Sequence, residues 1–160
     1  MSKAILVAFT LLLTTAVASS ARGSSSDYAL GIHLGGASDR DGNSSGFTGL
    51  NFRVGQDESL DLVLAYNTGN GKTMIINGNY LHHVAPILRQ IPIKGIVPYV
   101  GIGVGTWFNN SSGAWLQVPL GIDLRFSVPL EAGLYIAPGI DLLPSTGANM
   151  HAGIAFRYWL

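Results

Sequence analysis

The sequence predicts an all-β protein, an eight-stranded antiparallel up-and-down transmembrane β-barrel preceded by a cleavable signal peptide. Three observations predict it. Residues 28–160 alternate apolar with small or polar side chains at period two, in segments separated by Gly, Asn, Ser and Asp clusters, which is the pattern of strands and turns. Charged residues make up 11% of the chain and hydrophobic ones 48%. A soluble domain carries roughly 25% charged residues, so a soluble protein of this composition would struggle to cover its surface. Finally, no segment beyond the N-terminus approaches the roughly 18 consecutive apolar residues of a membrane-spanning helix. Because lipid forces every backbone polar group to pair internally, an apolar chain without a spanning helix points to a closed barrel.

The first 21 residues read as a secretory signal. Lys3 supplies the positive start, residues 4–13 the apolar stretch, and small residues follow through Ala21. Cleavage fits after Ala18 or after Ala21. The expected organisation is a signal peptide over 1–21, a short polar lead-in over 22–27 and an outer-membrane β-barrel over 28–160. The formal net charge is zero, so there is no basic field to attract nucleic acid. The absence of cysteine removes disulfides, thiolate chemistry and Cys-based metal sites.

Eight strands are expected, over residues 28–36, 47–54, 60–66, 73–83, 96–107, 116–126, 130–141 and 150–160. Each has an apolar row. In the third it is Leu60, Leu62, Leu64 and Tyr66, and in the sixth Leu116, Val118, Leu120, Ile122, Leu124 and Phe126. The opposite rows are rich in Gly, with Asn and a few charges, as in Tyr99, Gly101, Gly103 and Gly105 of the fifth strand. The connections alternate in character. Residues 37–46, 67–72, 109–113 and 144–149 are polar, whereas 55–58 and 127–129 are tight. Outer-membrane barrels have this asymmetry of long external loops and short periplasmic turns. The 84–95 connection departs from it, being long, apolar and marked by Pro86 and Pro92.

Period two shows two faces without saying which meets solvent. Three features favour an apolar exterior. No charged residue falls on an apolar row, as a lipid face requires when a mid-membrane charge costs roughly 2–4 kcal/mol. The other face suits a narrow lumen, where small residues fit and buried charges need partners. The charges there are Arg53, Arg125 and Arg157 with Asp61, Asp123, Glu131 and Asp141, expected to form a structural salt-bridge plug centred on Asp123 and Arg125. Aromatics near strand ends, namely Tyr28, Tyr66, Tyr80, Trp115, Phe126, Tyr158 and Trp159, suit girdles at the membrane interfaces.

The segment Val97-Pro98-Tyr99-Val100-Gly101-Ile102-Gly103-Val104-Gly105 resembles the "PYVGxGxG" strand of OmpA/OmpX-like barrels. Val118-Pro119-Leu120-Gly121-Ile122-Asp123, Pro129-Leu130-Glu131 and Ala137-Pro138-Gly139-Ile140-Asp141 are similar to a group of short outer-membrane barrels of unknown function. The likeness is strongest over 96–160. It implies an eight-stranded barrel in the bacterial outer membrane. The C-terminal Phe156-Arg157-Tyr158-Trp159-Leu160 resembles the aromatic last strand recognised by the barrel-assembly machinery, although it ends in Leu.

Enzymatic chemistry finds little support. The 101–105 glycines lack the G-x-G-x-x-G spacing of a nucleotide loop. Lipid-A deacylase-type barrels carry a His-x-Ser pair, whereas the residues two after His33, His82, His83 and His151 are Gly35, Val84, Ala85 and Gly153, so the nucleophile is missing. His82 and His83 face opposite sides of a strand, which disfavours a metal pair. No catalytic residue, metal or cofactor is expected. The reading is a plugged barrel with a structural or surface-interaction role through short external loops. Contact candidates there are Asp39, Arg40, Asp41, Asn43, Asn70, Lys72, Asn109, Asn110 and Asn149. Expected partners are membrane lipid, lipopolysaccharide or an equivalent outer-leaflet lipid, the assembly machinery and an extracellular protein, but no nucleic acid. A lipid-A-modifying enzyme, a secreted lipocalin-like binder of an apolar ligand and a narrow pore stand as alternatives.

Overall fold

The computed structural model describes residues 27–39, 43–67, 73–84, 95–109 and 112–160. The signal peptide, nearly all of the lead-in and most of the 84–95 connection therefore lie outside the described residues. The strands are β1 Tyr28–Ser38, β2 Ser44–Val54, β3 Glu58–Asn67, β4 Thr73–His83, β5 Ile96–Phe108, β6 Ser112–Gln117, β7 Leu120–Arg125, β8 Leu130–Leu143 and β9 Gly147–Trp159. All pairings are antiparallel, and the sheet closes through β1 on β9 and β4 on β5. Strands β6 and β7 are two halves of one crossing, both pairing with β5 and β8. The break falls at Val118 and Pro119, where proline has no N–H for the ladder. Hydrogen bonds still bridge it, from Val118 N to Pro138 O at 2.9 Å and from Gly101 N to Pro119 O at 2.8 Å. The barrel thus has eight crossings, as the periodicity predicts.

The apolar rows face outward. In β3 exposure alternates residue by residue: Leu60 is 61% exposed and Asp61 6%, Leu62 41% and Val63 3%. The same parity holds for Ile102 and Val104 on β5, Leu120 to Leu124 on β7, and Ile154 and Phe156 on β9. This outcome removes the secreted-binder alternative, which needs those rows inside. A continuous aliphatic belt on a closed barrel is stable only against an apolar solvent.

Two expectations are corrected. The strands run further toward the loops than composition suggests, with Ser44 pairing Ser38, Ser112 pairing Phe108 and Gly147 pairing Asp141. Polar residues do not end a strand while its neighbour still offers hydrogen-bond partners. Asn149 consequently lies within β9 rather than in a loop. Trp115 is not in an interfacial girdle; it points inward and is 3% exposed. β6 also carries a register shift between Ala114 and Trp115, opposite Leu143 and Asp141. This bulge leaves Leu142 and Leu143, adjacent in sequence, both exposed.

The short connections 55–57 and 126–129 lie at the same end as Tyr28 and Leu160, and this is called the turn end. The opposite, loop end carries the strand ends Ser38, Ser44, Asn67, Thr73, Phe108, Ser112, Leu143 and Gly147.

Candidate functional site

The lumen is filled in layers. Nearest the turn end is a layer of charge. Arg53 is fully buried, and its Nε donates to Asp61 Oδ1 at 3.0 Å while its Nη1 donates to Asp123 Oδ2 at 2.5 Å and Glu131 Oε1 at 2.8 Å. Arg157, on β9, reaches the same three carboxylates. Its Nη1 donates to Glu131 Oε1 at 2.8 Å and Asp123 Oδ1 at 3.2 Å, its Nη2 to Asp61 Oδ2 at 3.3 Å, and its Nε to Asn51 Oδ1. Strand register brings these groups together: Arg53 stands opposite Asp61, and Glu131 lies between Arg125 and Arg157 on adjacent strands. The charges of Arg53, Arg125 and Arg157 cancel those of Asp61, Asp123 and Glu131. In a low-dielectric interior, such cancellation with saturated hydrogen bonding is what makes buried ions tolerable.

Two of the sequence-picked charges stand apart. Arg125 is at the rim of the cluster, 26% exposed, with Nε 3.3 Å from Glu131 and Nη2 2.5 Å from the Gln56 carbonyl. The centre is therefore Arg53 with Asp123, not Arg125 with Asp123. Replacing Arg125 with glutamine should cost less folding stability than replacing Arg53, because Arg125 is partly solvated and glutamine can still donate to Glu131, although one of the three balancing charges is lost; urea titration of the folded barrel checks this. Asp141 is at the loop end, where it accepts from Asn149 Nδ2 at 2.7 Å. The bulge beside Trp115 and the length of β8 place it far from the other carboxylates.

Sequence reading missed His83 as a member of the cluster. Its Nε2 lies 2.9 Å from Asp123 Oδ2 and its Nδ1 3.0 Å from the Asp57 carbonyl. Its inward parity, shared with Asp61's neighbours on β4, was the available signal. His82 points outward, 3.6 Å from Glu58.

Above the charges lies a layer of amides. Gln117 Nε2 donates to Asn79 Oδ1 at 2.7 Å and Asn77 Oδ1 at 3.2 Å, while Gln117 Oε1 accepts from Trp115 Nε1 at 2.8 Å. A third layer is apolar and aromatic. Phe47, Val63, Ala65, Ile75 and Trp115 form a buried cluster inside the lumen. His33 stacks on Phe47 at 5.5 Å and His151 on Trp115 at 4.9 Å, and His33 Nε2 meets the Tyr135 hydroxyl at 2.9 Å. The lumen is thus apolar at this level, with Val63, Ala65 and Ile75 beside the rings. The inward glycines make room for these rings. A Cβ on Gly105 would strike the Trp115 indole, and one on Gly121 would come within 2.5 Å of the Tyr99 ring.

Between the charged and aromatic layers remains a void of about 20 Å³, room for about one water. At the loop end the lumen opens into a cup of about 1010 Å³. Asp39, Asn43, Asn109 and Asn149 line this cup. Asp39 caps its hairpin by accepting from Asn43 N at 2.9 Å and Asn43 Nδ2 at 3.0 Å. Arg40, Asp41, Asn70, Lys72 and Asn110 lie outside the described residues.

The chain resembles three solved membrane barrels. The N-terminal β-barrel domain of Pseudomonas aeruginosa OprF matches with a TM-score of 0.56 and 14% identity, over 84% of this chain and 100% of that one. The fold is that of a small outer-membrane β-barrel. Neisserial surface protein A matches with a TM-score of 0.58 and 8% identity, over 83% of this chain and 96% of that one. A de novo designed transmembrane β-barrel matches at 0.50 and 16% identity, over 84% and 98%. No family model matches the chain, and no curated protein does. At these identities the likeness speaks to architecture alone. It agrees with the OmpA/OmpX-like resemblance carried by the 97–105 strand.

Proposed function

We propose that this protein is a non-conducting barrel of the bacterial outer membrane, held shut by its charge cluster and presenting its loop end to the exterior. The observation that carries this reading is Arg53, fully buried and bonded to three carboxylates contributed by β3, β7 and β8. An eight-stranded lumen is just wide enough for side chains, and a guanidinium tied across it leaves no path for a hydrated ion. The orientation follows from the general rule that short turns face the periplasm and loops face outward. The exposed aliphatic belt contacts acyl chains of the bilayer, with lipopolysaccharide or an equivalent lipid in the outer leaflet. The outward Phe156 and the Tyr158 parity of β9 offer the assembly machinery its last strand.

The role is then structural, or one of surface interaction with an extracellular protein through Asp39, Asn43, Asn109 and the neighbouring loop residues. The loops are short, so a protein contact made through one copy would be small. Planar-bilayer recording tests the plug. The wild type should give no stable openings, and the paired substitution Asp123→Ser with Arg157→Ser, which removes one charge of each sign, should introduce them. Stable openings of the wild type would overturn the reading. Recovery of the full chain in the outer-membrane fraction, with heat-modifiable migration on gels, tests the location.

A further inference from the structure

The cup at the loop end goes beyond the reading above, because its chemistry does not depend on whether the lumen conducts. Its volume of about 1010 Å³ is at the upper end of the range typical of small-molecule sites, roughly 300–1,000 Å³. It is closed below by the aromatic layer, so a ligand entering from the loop end meets a floor rather than a channel.

The floor is an indole. Trp107 lines the cup and is only partly buried, packed on the cluster that contains Trp115. The two rings are 6.1 Å apart at 30°. Gly113 leaves the space that the Trp107 ring occupies, since a Cβ there would collide with it. The indole therefore packs directly over the Gly113 backbone. The wall above it differs sharply from the floor. It is built from hydroxyl and amide side chains, with Ser45, Thr146 and Asn149 among them, and from the carboxylates of Asp39 and Asp141. No Lys or Arg is among the described lining residues. Several of these groups are already held by one another, as Asp141 is by Asn149 at 2.7 Å and Asp39 by Asn43 at 2.9 Å. Pre-ordered polar groups lose little entropy on binding.

An apolar ligand would displace water from the hydroxyl, amide and carboxylate groups of the wall without replacing its hydrogen bonds, which is costly. An anionic ligand would meet Asp39 and Asp141. A ligand with one flat C–H face and a margin of hydroxyl groups satisfies both parts, with the face on the indole and the hydroxyls donating to carboxylate and amide oxygens. We propose that the loop-end cup is a binding site for a neutral saccharide, with Trp107 as its stacking platform and Asp141, held in place by Asn149 at 2.7 Å, as its principal hydrogen-bond acceptor.

The test is a titration of the full mature barrel, refolded in a detergent without a sugar headgroup, followed by tryptophan fluorescence and calorimetry. The probes are maltotriose, lactose and triacetylchitotriose, with sialyllactose as the anionic comparator and spermidine as the cationic one. At least one neutral probe should give a saturable response, and sialyllactose should bind more weakly than lactose. The Trp107→Ala variant should bind the same probe at least about tenfold more weakly, the effect of losing an aromatic contact, while keeping its heat-modifiable migration. Should that variant fail to fold, Trp107→Leu fills the space without an aromatic face and should show the same loss. No saturable response to any neutral probe overturns the proposal. So does undiminished binding by the folded Trp107 variant, or saturation by spermidine alone, which would mark a cation site.

Discussion

Replacing Arg53 with methionine should lower the folding stability of the barrel by about 3–5 kcal/mol, the range expected when one member of a buried ionic network is removed and its partners are left behind. Methionine keeps the length and apolar stem of the side chain, so the change reports the guanidinium and not a cavity. Asp61, Asp123 and Glu131 would lose hydrogen bonds of 3.0, 2.5 and 2.8 Å, and Arg157 alone would face all three. The carboxylates cannot recover the loss from solvent, because Asp123 and Glu131 are at most 1% exposed. Adding Asp123→Asn to the variant should return part of the stability, since it removes one of the unpaired charges; neighbouring sites of this kind are not additive. Urea titration in lipid vesicles reads both variants. A loss below about 1 kcal/mol for Arg53→Met would mean that water reaches the cluster.

The second large effect is on the outside. Ile102→Arg should destabilise the barrel in a bilayer by about 2–4 kcal/mol, the cost of a cationic side chain at the lipid midplane. Ile102 sits in the middle of β5, is 61% exposed, and stands opposite Tyr80 of β4. The same substitution at Leu143, 58% exposed but at the loop end, should cost only about 0–1 kcal/mol, because long cationic side chains near the interface reach the headgroups. The contrast matters more than either value. Equal exposure with unequal cost is a statement about depth in lipid, and two equally small costs would place both side chains in water.

Most of the architecture could be read from the chain because one constraint dominates it. Lipid on one side and a narrow lumen on the other force every strand to alternate, so Leu60, Leu62 and Leu64 declare one face and Asp61, Val63 and Ala65 the other. Strand ends were harder to place. Ser44, Ser112 and Gly147 read as loop residues, yet each continues a ladder whose partner strand is still present. Composition near the rim reports solvent, whereas pairing reports the neighbour. The membership of the charge cluster was visible in the inward parity of Arg53, Asp61, Asp123, Glu131 and Arg157. Its centre was not, because height along the barrel depends on stagger between strands. Two residues on one strand, such as Asp123 and Arg125, share a face but differ in depth, and Asp141 shares that inward parity at the opposite end. Trp115 was misplaced for a related reason. Its position near a strand end suggested an interfacial girdle, but its parity with Gln117 directs it inward, over Gly105. The aromatic floor of the loop-end cup went unread with it.

Label accessibility along β3 tests the central physical claim most directly. The chain has no cysteine, so single replacements from Leu60 through Ala65 can each carry one nitroxide in protein reconstituted in vesicles, with retained heat-modifiable migration showing that each labelled variant, the Asp61 one above all, still folds. Collision with dissolved oxygen, which concentrates in acyl chains, should peak at positions 60, 62 and 64 and fall at 61, 63 and 65, with a water-soluble nickel complex excluded from all six. Oxygen maxima at 61, 63 and 65, or free access of the nickel complex to 60, 62 and 64, would contradict a barrel whose aliphatic rows face lipid and whose charges close its interior.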